Sequence, residues 1–540
     1  MNKLVFLNEK NFFAFVACVM LTGHLLSQSS AQPIHQWHHQ DPGSGELGVS
    51  SYKAYSELLA GKTPTQIVVA VIDSGTETAH PDLGKNIWVN EDEIAGNEKD
   101  DDGNGYVDDI HGWSFIGGPG GNVEHDNLEF TRVYKELRTK YYGRSKTEIG
   151  KAEVEEFERY ERMNTEYQSR IGKATEEKIQ MEQVLQFQQL AISTIQQALG
   201  KDEFTLEEVK GLNADDDFMK AVKEFMISSL EQDFASDFKE WANHVNNQFD
   251  YSYNLDFDPR HLVGDNYNDV NEKFYGNNHI DGPKAEHGTH VAGIIGALNN
   301  NEGVDGIAQD VKLMIIRCVP DGDERDKDVA NAIRYAADNG ARIINMSFGK
   351  SYSPQKDAVD AAVKHAESKN VLLIHAAGND GKNIDKSKSF PNDNFSDKTK
   401  SAVWLEVGAS GVSKEELAAD FSNYGKKNVD VFAPGAGIYS TFIGATYKKQ
   451  SGTSMAAPVA AGVAAAVLSY YPNLTAAELK TILMKSATNY KKVTVILPGS
   501  NEPLADGTTR PKKIKFGKLS RSGGVVNLYN ALKWAEKLSK

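Results

Sequence analysis

Three segments carry side chains that could act together on a carbonyl. In Gly452-Thr453-Ser454-Met455-Ala456-Ala457-Pro458, small residues after Ser454 read as a helix passing through a crowded core. Ser454 falls in its first turn, where unpaired backbone N–H groups and the helix dipole favour negative charge. A serine attacking a carbonyl needs that environment for the oxyanion it creates, and it needs a base to take its proton. His287, in Glu286-His287-Gly288-Thr289-His290, begins a second helical pattern and is the base candidate. His290, one turn on, reads as a structural residue, and without an HExxH pattern the pair does not suggest zinc. Asp73 ends an apolar run in Val71-Ile72-Asp73-Ser74-Gly75. A carboxylate at the end of a buried strand is costly unless hydrogen-bonded, and an imidazole N–H is the partner that an acid–base–nucleophile relay supplies.

These residues need a scaffold that brings strand ends and helix starts together. Residues 65–72 form a continuous apolar run, as do stretches within 311–319, 341–346, 371–377 and 403–407. Strands buried on both faces read this way. Helical patterns lie between them at 290–298, 328–339 and 357–368. The alternation predicts an α/β fold, a parallel sheet with helices on both faces, with ligands at the carboxyl ends of the strands. Residues 130–249 differ: they are rich in Glu, Lys and Gln. Phe157, Tyr160, Tyr167, Ile171, Ala174, Met181, Leu185, Ile192, Ile195 and Leu199 keep helical spacing, interrupted by Lys178 and Gln188. A long amphipathic helix or helical hairpin is expected there, then a second helical stretch from Leu206 broken near Gly211-Leu212-Asn213.

An acidic stretch, Asp100-Asp101-Asp102-Gly103-Asn104-Gly105-Tyr106-Val107-Asp108-Asp109, fits the start of an EF-hand loop at Asp100, Asp102, Asn104 and Asp108. The twelfth position is His111 rather than a bidentate Glu, so the match is partial. The competing reading is a solvated acidic turn.

Together, the Asp73, His287 and Ser454 segments resemble the three active-site blocks of the subtilisin-like serine proteases (subtilases, peptidase family S8), in that family's chain order. The resemblance covers about residues 65–118 and 250–540. It implies a subtilisin-like parallel-sheet fold with a long helical insertion between Asp73 and His287, which lie 214 residues apart. It also implies a serine endopeptidase acting through an acyl-enzyme. Ala376-Ala377-Gly378-Asn379 resembles the block whose asparagine donates to the oxyanion, so Asn379 is expected to do so, with Ala377 and Gly378 beside the substrate. Ser347, Phe348 and Gly349 resemble the segment that pairs with the substrate backbone as an extended strand. The loop after the His287 helix is similar to the family's calcium loop. The resemblance assigns it the Asn300 side chain, the carbonyls of Leu298, Glu302 and Val304, and the carboxylate of Asp82, though the N-terminal ligand is not recognisable. Calcium as a structural ion, and no organic cofactor, are expected. Residues 522–532 resemble the family's closing turn and helix.

The remaining features set the context. The 540 residues carry a formal net charge of −16, which argues against a nucleic-acid partner. Lys3 and Lys10 bracket a short start, an apolar run covers 12–21, and Ser29-Ser30-Ala31 offers a cleavage site. This reads as a signal peptide over 1–31, too short and interrupted to serve as a membrane anchor. Export to an extracellular, cell-surface or periplasmic location follows, with no membrane span after cleavage. Cys318, the one cysteine left, is expected to be buried and inert. The expected organisation is an N-terminal segment 32–64, catalytic parts 65–129 and 250–540, and the insertion 130–249. Only about 40 residues separate Ala31 from Asp73, too few for the folding prodomain usual in the family. Protein or peptide substrates are expected, with the insertion as a surface for self-association or a partner. Two alternatives keep the same fold: a catalytically idle scaffold acting through the insertion, and an acyl transferase using the same acyl-enzyme.

Overall fold

The computed structural model describes residues 35–231, 234–501 and 511–539; the expected signal peptide lies outside them. The chain separates into two compact units. One gathers Thr131–Phe257; the other joins Ile34–Phe130 to Asp258–Lys540 and holds every residue singled out above for chemistry.

The second unit is built on a nine-stranded sheet. In chain order its strands are β1 (Ile67–Asp73), β2 (Gly112–Ser114), β3 (Val311–Arg317), β4 (Ile343–Met346), β5 (Leu372–Ala376), β6 (Trp404–Ser410), β7 (Val431–Pro434), β8 (Thr488–Asn489) and β9 (Gly524–Val525). Across the sheet they run β8-β9-β7-β6-β5-β4-β1-β3-β2. All neighbours are parallel except the β8–β9 pair. The central strands are buried along nearly their whole length, because helices cover both faces.

Those helices are α1 (Glu286–Gly296), α2 (Asp326–Asp338), α3 (Lys356–Ser368), α4 (Thr453–Tyr470), α5 (Ala476–Ser486) and α6 (Leu528–Leu538). On one face α2 and α3 pack together, α2 against β1 and β3 and α3 against β5. On the other, α4 crosses β1, β4, β5, β6 and β7, with α1, α5 and α6 beside it. By length and hydropathy α4 would pass for a membrane span, but 89% of it is buried in this core. Alanine at 456, 457, 460, 461, 464 and 465 lets it approach the sheet closely, and a Cβ on Gly462 would lie 2.5 Å from the Ile307 Cβ. The parallel arrangement collects the ends of β1, β4 and β5 and the starts of α1 and α4 at one edge, where an open α/β sheet binds its ligands.

Thr131–Phe257 is helical. Its principal helix, Val154–Leu199, is 46 residues long and ends at Gly200, whose positive φ of 67° stops it. Phe157, Tyr160, Met163, Ala174, Met181, Val184, Ala191 and Ile195 form its buried face. Of the expected stripe, Phe157, Tyr160, Ala174, Met181 and Ile195 lie on this face, Tyr167, Ile171, Ile192 and Leu199 are half-buried, and Leu185 is exposed while its neighbour Val184 is buried. Val209, Val222, Phe225 and Met226 close a small core against Ala191 and Ile195.

Candidate active site

Asp73 is the last residue of β1, with its side chain 2% exposed. Its Oδ1 accepts from His287 Nδ1 at 2.7 Å and from the Ser74 N–H at 2.8 Å. The turn beyond it needs Gly75, at φ +117°, where a Cβ would meet the Ile280 carbonyl at 2.6 Å. His287 is the second residue of α1. Its helix can approach β1 because the next residue is Gly288, whose Cβ would lie 2.0 Å from the Gly75 carbonyl. Donation from Nδ1 leaves Nε2 as the acceptor, and the ring is 39% exposed. Burial pulls the His287 pKa down, but the Asp73 charge and hydrogen bond outweigh it and hold the pKa above its ordinary value.

Ser454 is the second residue of α4. Four residues later Pro458 has no N–H to donate, so the Ser454 carbonyl loses its helical partner. Ser347 Oγ takes that place at 2.9 Å, and Ser454 Oγ donates in return to the Ser347 carbonyl at 3.0 Å. This reciprocal pair ties the first turn of α4 to the end of β4. In this geometry the Ser454 Oγ hydrogen bond goes to Ser347 and not to His287.

Asn379 lies three residues beyond β5. Its Oδ1 accepts from the Thr453 N–H at 2.8 Å and from Thr453 Oγ1 at 2.9 Å, which commits Nδ2 to the donor role. A Cβ on Gly452 would lie 3.5 Å from Asn379 Nδ2 and 3.6 Å from the Ser454 N. The two donors therefore flank the same space, open because residue 452 has no side chain. The loop carrying Asn379 is shaped by Ala377 and Gly378. Gly378 adopts φ +98° and donates to Thr453 Oγ1 at 3.0 Å.

Asn423, which nothing in the motifs singles out, holds this loop. Its Nδ2 donates to the Ala377 carbonyl at 2.9 Å, and its Oδ1 accepts from the N–H groups of Asp380 (3.2 Å) and Lys382 (2.8 Å). In sequence it is one polar residue in a short turn, without a spacing that would mark it.

Ser347, Phe348 and Gly349 leave β4 in that order, buried, half-buried and exposed. Among the described residues, the N–H groups of Phe348 and Gly349 take no partner. The Phe348 ring meets the buried His375 ring edge-on at 6.4 Å, and His375 is held by Glu406 at 3.0 Å.

A sequence model of the subtilase family matches residues 65–497. The chain belongs to this family. Subtilisin DY of Bacillus licheniformis is 38% identical over 205 residues, 38% of this chain and 70% of that protein. Subtilisin BL of Lederbergia lenta is 36% identical over 226 residues, 42% of this chain and 77% of that protein. Among solved structures, one described as proteases from Pseudoalteromonas arctica PAMC 21717 is 30% identical, covering 46% of this chain and 70% of its own, with a TM-score of 0.36. This subtilase is a subtilisin-like serine endopeptidase.

Subtilases commonly bind calcium, and two regions were expected to do so here. Asp82 is 2% exposed and faces the loop after α1. Its Oδ2 accepts from the Val304 N–H at 2.9 Å, while its Oδ1 is buried without a partner. Burial pushes its pKa up against that hydrogen bond. An orphaned buried carboxylate oxygen beside the loop that carries Leu298, Asn300, Glu302 and Val304 fits a hard cation. Asn300 Oδ1 meanwhile accepts from the Glu302 N–H at 2.8 Å. From the N-terminal segment, Gln36 reaches the end of this loop and exchanges two 3.0 Å hydrogen bonds with the Asp305 backbone.

In the acidic stretch, Asp100, Asp102 and the unforeseen Glu93 bring carboxylate oxygens within 4.8 Å of one another. Asn104 stands beside them, its side chain 3.0 Å from Asp102. Asp108 joins this trio through its backbone, its N–H donating to Glu93 Oε2 at 3.1 Å. Its carboxylate accepts from the N–H groups of Gly96, Asn97 and Glu98 and so caps a backbone turn.

Proposed function

We propose that this endopeptidase works through Ser454 as nucleophile, His287 as general base and acid, Asp73 as the orienting carboxylate, and Asn379 with the Ser454 N–H as oxyanion donors. The observation that carries the reading is the 2.7 Å bond between Asp73 and His287, at the sheet edge from which Ser454 and Asn379 also emerge. An extended peptide pairs with segment 347–349 through backbone groups such as the Phe348 and Gly349 N–H. Ser454 Oγ swings from the Ser347 carbonyl to His287 Nε2, gives up its proton there and bonds to the peptide carbonyl carbon. The carbonyl electron pair moves onto oxygen, where Asn379 Nδ2 and the Ser454 N–H receive it. Asp73 stabilises the imidazolium. The C–N bond then breaks as His287 protonates the departing amine. A water that gives its proton to His287 next splits the ester and frees Ser454.

Calcium belongs to the structural side of this proposal. Asp82 with the Leu298, Asn300, Glu302 and Val304 loop would hold one ion, and Glu93, Asp100, Asp102 and Asn104 a second. When bound, such an ion neutralises acidic oxygens and cross-links loops. Export is proposed from residues 1–31; one relative, from Bacillus subtilis (strain 168), is described as a cell wall-associated protease. The helical unit is proposed as a surface for self-association or a partner, since Ile179, Leu185 and Leu190 are exposed on its long helix.

The test is labelling by a fluorophosphonate together with peptide hydrolysis. Both are expected in the wild type and absent in Ser454→Ala. A folded wild type that does neither would sink the proposal.

A further inference from the structure

Lys350 follows Gly349 directly, yet its side chain is only 1% exposed. Its ammonium donates to Glu129 Oε2 at 2.7 Å and to the Glu324 carbonyl at 2.6 Å, and it lies 2.8 Å from Asp326 Oδ1. Glu129 and Asp326 are themselves 2% and 3% exposed. A buried ion pair of this kind is weak evidence for stability, because apolar residues of the same shape often serve as well. What it supplies is a fixed position. The Lys350 backbone is fixed too, exchanging two 2.9 Å hydrogen bonds with Phe390.

The oxygens that hold Lys350 sit where the chain departs for the helical unit. Glu129 is the second-last residue before that unit begins, and its N–H donates to Asp323 Oδ2 at 2.8 Å. On the same segment Arg325 binds Asp126, ahead of the departure, at 2.7 and 3.1 Å. It also binds Asp258, the first residue after the return, at 3.0 Å. Segment 323–326 thus clamps both roots of the excursion and shares Lys350 with the strand that precedes it.

We propose that Lys350 is a positioning residue of this endopeptidase: it sets segment 347–349 for the substrate backbone and makes that setting depend on the root of the helical unit. The proposal rests on reading 347–349 as the substrate-pairing segment. Substrate affinity, more than the chemistry at Ser454, is what it governs.

The experiment compares an extended peptide with p-nitrophenyl acetate, which is too small to lie along 347–349. Lys350→Met combined with Glu129→Gln removes the cation and one of its two buried carboxylates, and leaves Asp326 accepting from the Ser353 hydroxyl and the Gln355 N–H. The peptide KM is expected to rise tenfold or more, while the ester rate and fluorophosphonate labelling change less than twofold. Glu129→Gln alone, the milder arm, is expected to raise KM threefold or more. An unchanged peptide KM in either folded variant overturns the proposal. Gly349→Pro separates the two readings, since it deletes a backbone donor of the strand itself. If it raises KM and the Lys350 variants do not, the Lys350 inference falls alone; if none of them does, the reading of 347–349 falls with it.

Discussion

Replacing His39 by Gln should remove about 3 kcal/mol of acid sensitivity from the folding equilibrium. His39 is 1% exposed and belongs to the N-terminal segment of the larger unit. Its Nε2 meets the Asp305 carbonyl at 3.0 Å and its Nδ1 meets Ser51 Oγ at 2.7 Å, so the neutral ring uses one nitrogen as donor and the other as acceptor. A second proton would destroy the acceptor. Burial pushes the pKa down to about 4, against the Asp305 hydrogen bond. In the unfolded chain the value returns to about 6.5. Between these values the unfolded state binds more protons, so stability rises with pH and falls as pH drops through the window. Two and a half units at about 1.4 kcal/mol each give the figure of about 3 kcal/mol. Glu324, pushed up to about 8, and Asp109, pushed up to about 6, both mainly by burial, act in the opposite sense. The total slope of the protein therefore does not isolate His39, and the measurement must be differential. Urea unfolding of Ser454→Ala, with and without His39→Gln, at pH 7 and pH 4 supplies it, since the inactive background prevents self-digestion. The gap between the two proteins should narrow or reverse by about 3 kcal/mol at the lower pH. Parallel behaviour within about 0.5 kcal/mol would refute the reasoning.

Asn379→Ala is expected to lower kcat by about 10²–10³ with little change in KM, measured on a peptide substrate. Gly452→Ala should fold normally, because its Cβ meets neighbours only at 3.5 Å or beyond, but should lose a comparable factor in kcat by occupying the space between the two oxyanion donors. Peptidase activity should rise with pH through the His287 pKa, which lies above 6.5, because only the neutral ring accepts the Ser454 proton. Asp73→Asn should shift that limb to lower pH and reduce kcat by about 10⁴. A chelator should lower the thermal transition of Ser454→Ala, and Asp82→Asn should reduce the difference to what the Glu93, Asp100 and Asp102 site contributes.

The sheet was legible because β1, β3, β4, β5 and β6 are buried on both faces, and only uninterrupted apolar runs satisfy that environment. The short outer strands β2, β8 and β9 were not, since two or three residues carry no periodic signal. Around the reacting groups, motifs announced Asp73, His287, Ser454 and Asn379, whereas Asn423 acts through backbone atoms brought near by folding. Asp108 shows the converse. Its spacing suits a cation loop, and its carboxylate caps three backbone N–H groups, as the Glu93 and Asp100 carboxylates also accept from backbone N–H groups, a partnership set by the local turn that spacing alone does not reveal. Lys350 would pass for a surface residue in sequence, and only folding brings it to Glu129 and Asp326.

Ser347 lends its hydroxyl to one peptide unit of the nucleophile's helix and its carbonyl to the nucleophile itself. In the proposed mechanism, then, the attacking oxygen rests on the segment with which the substrate backbone would pair. A shift of this segment would therefore reach the Ser454 hydroxyl through a single hydrogen bond.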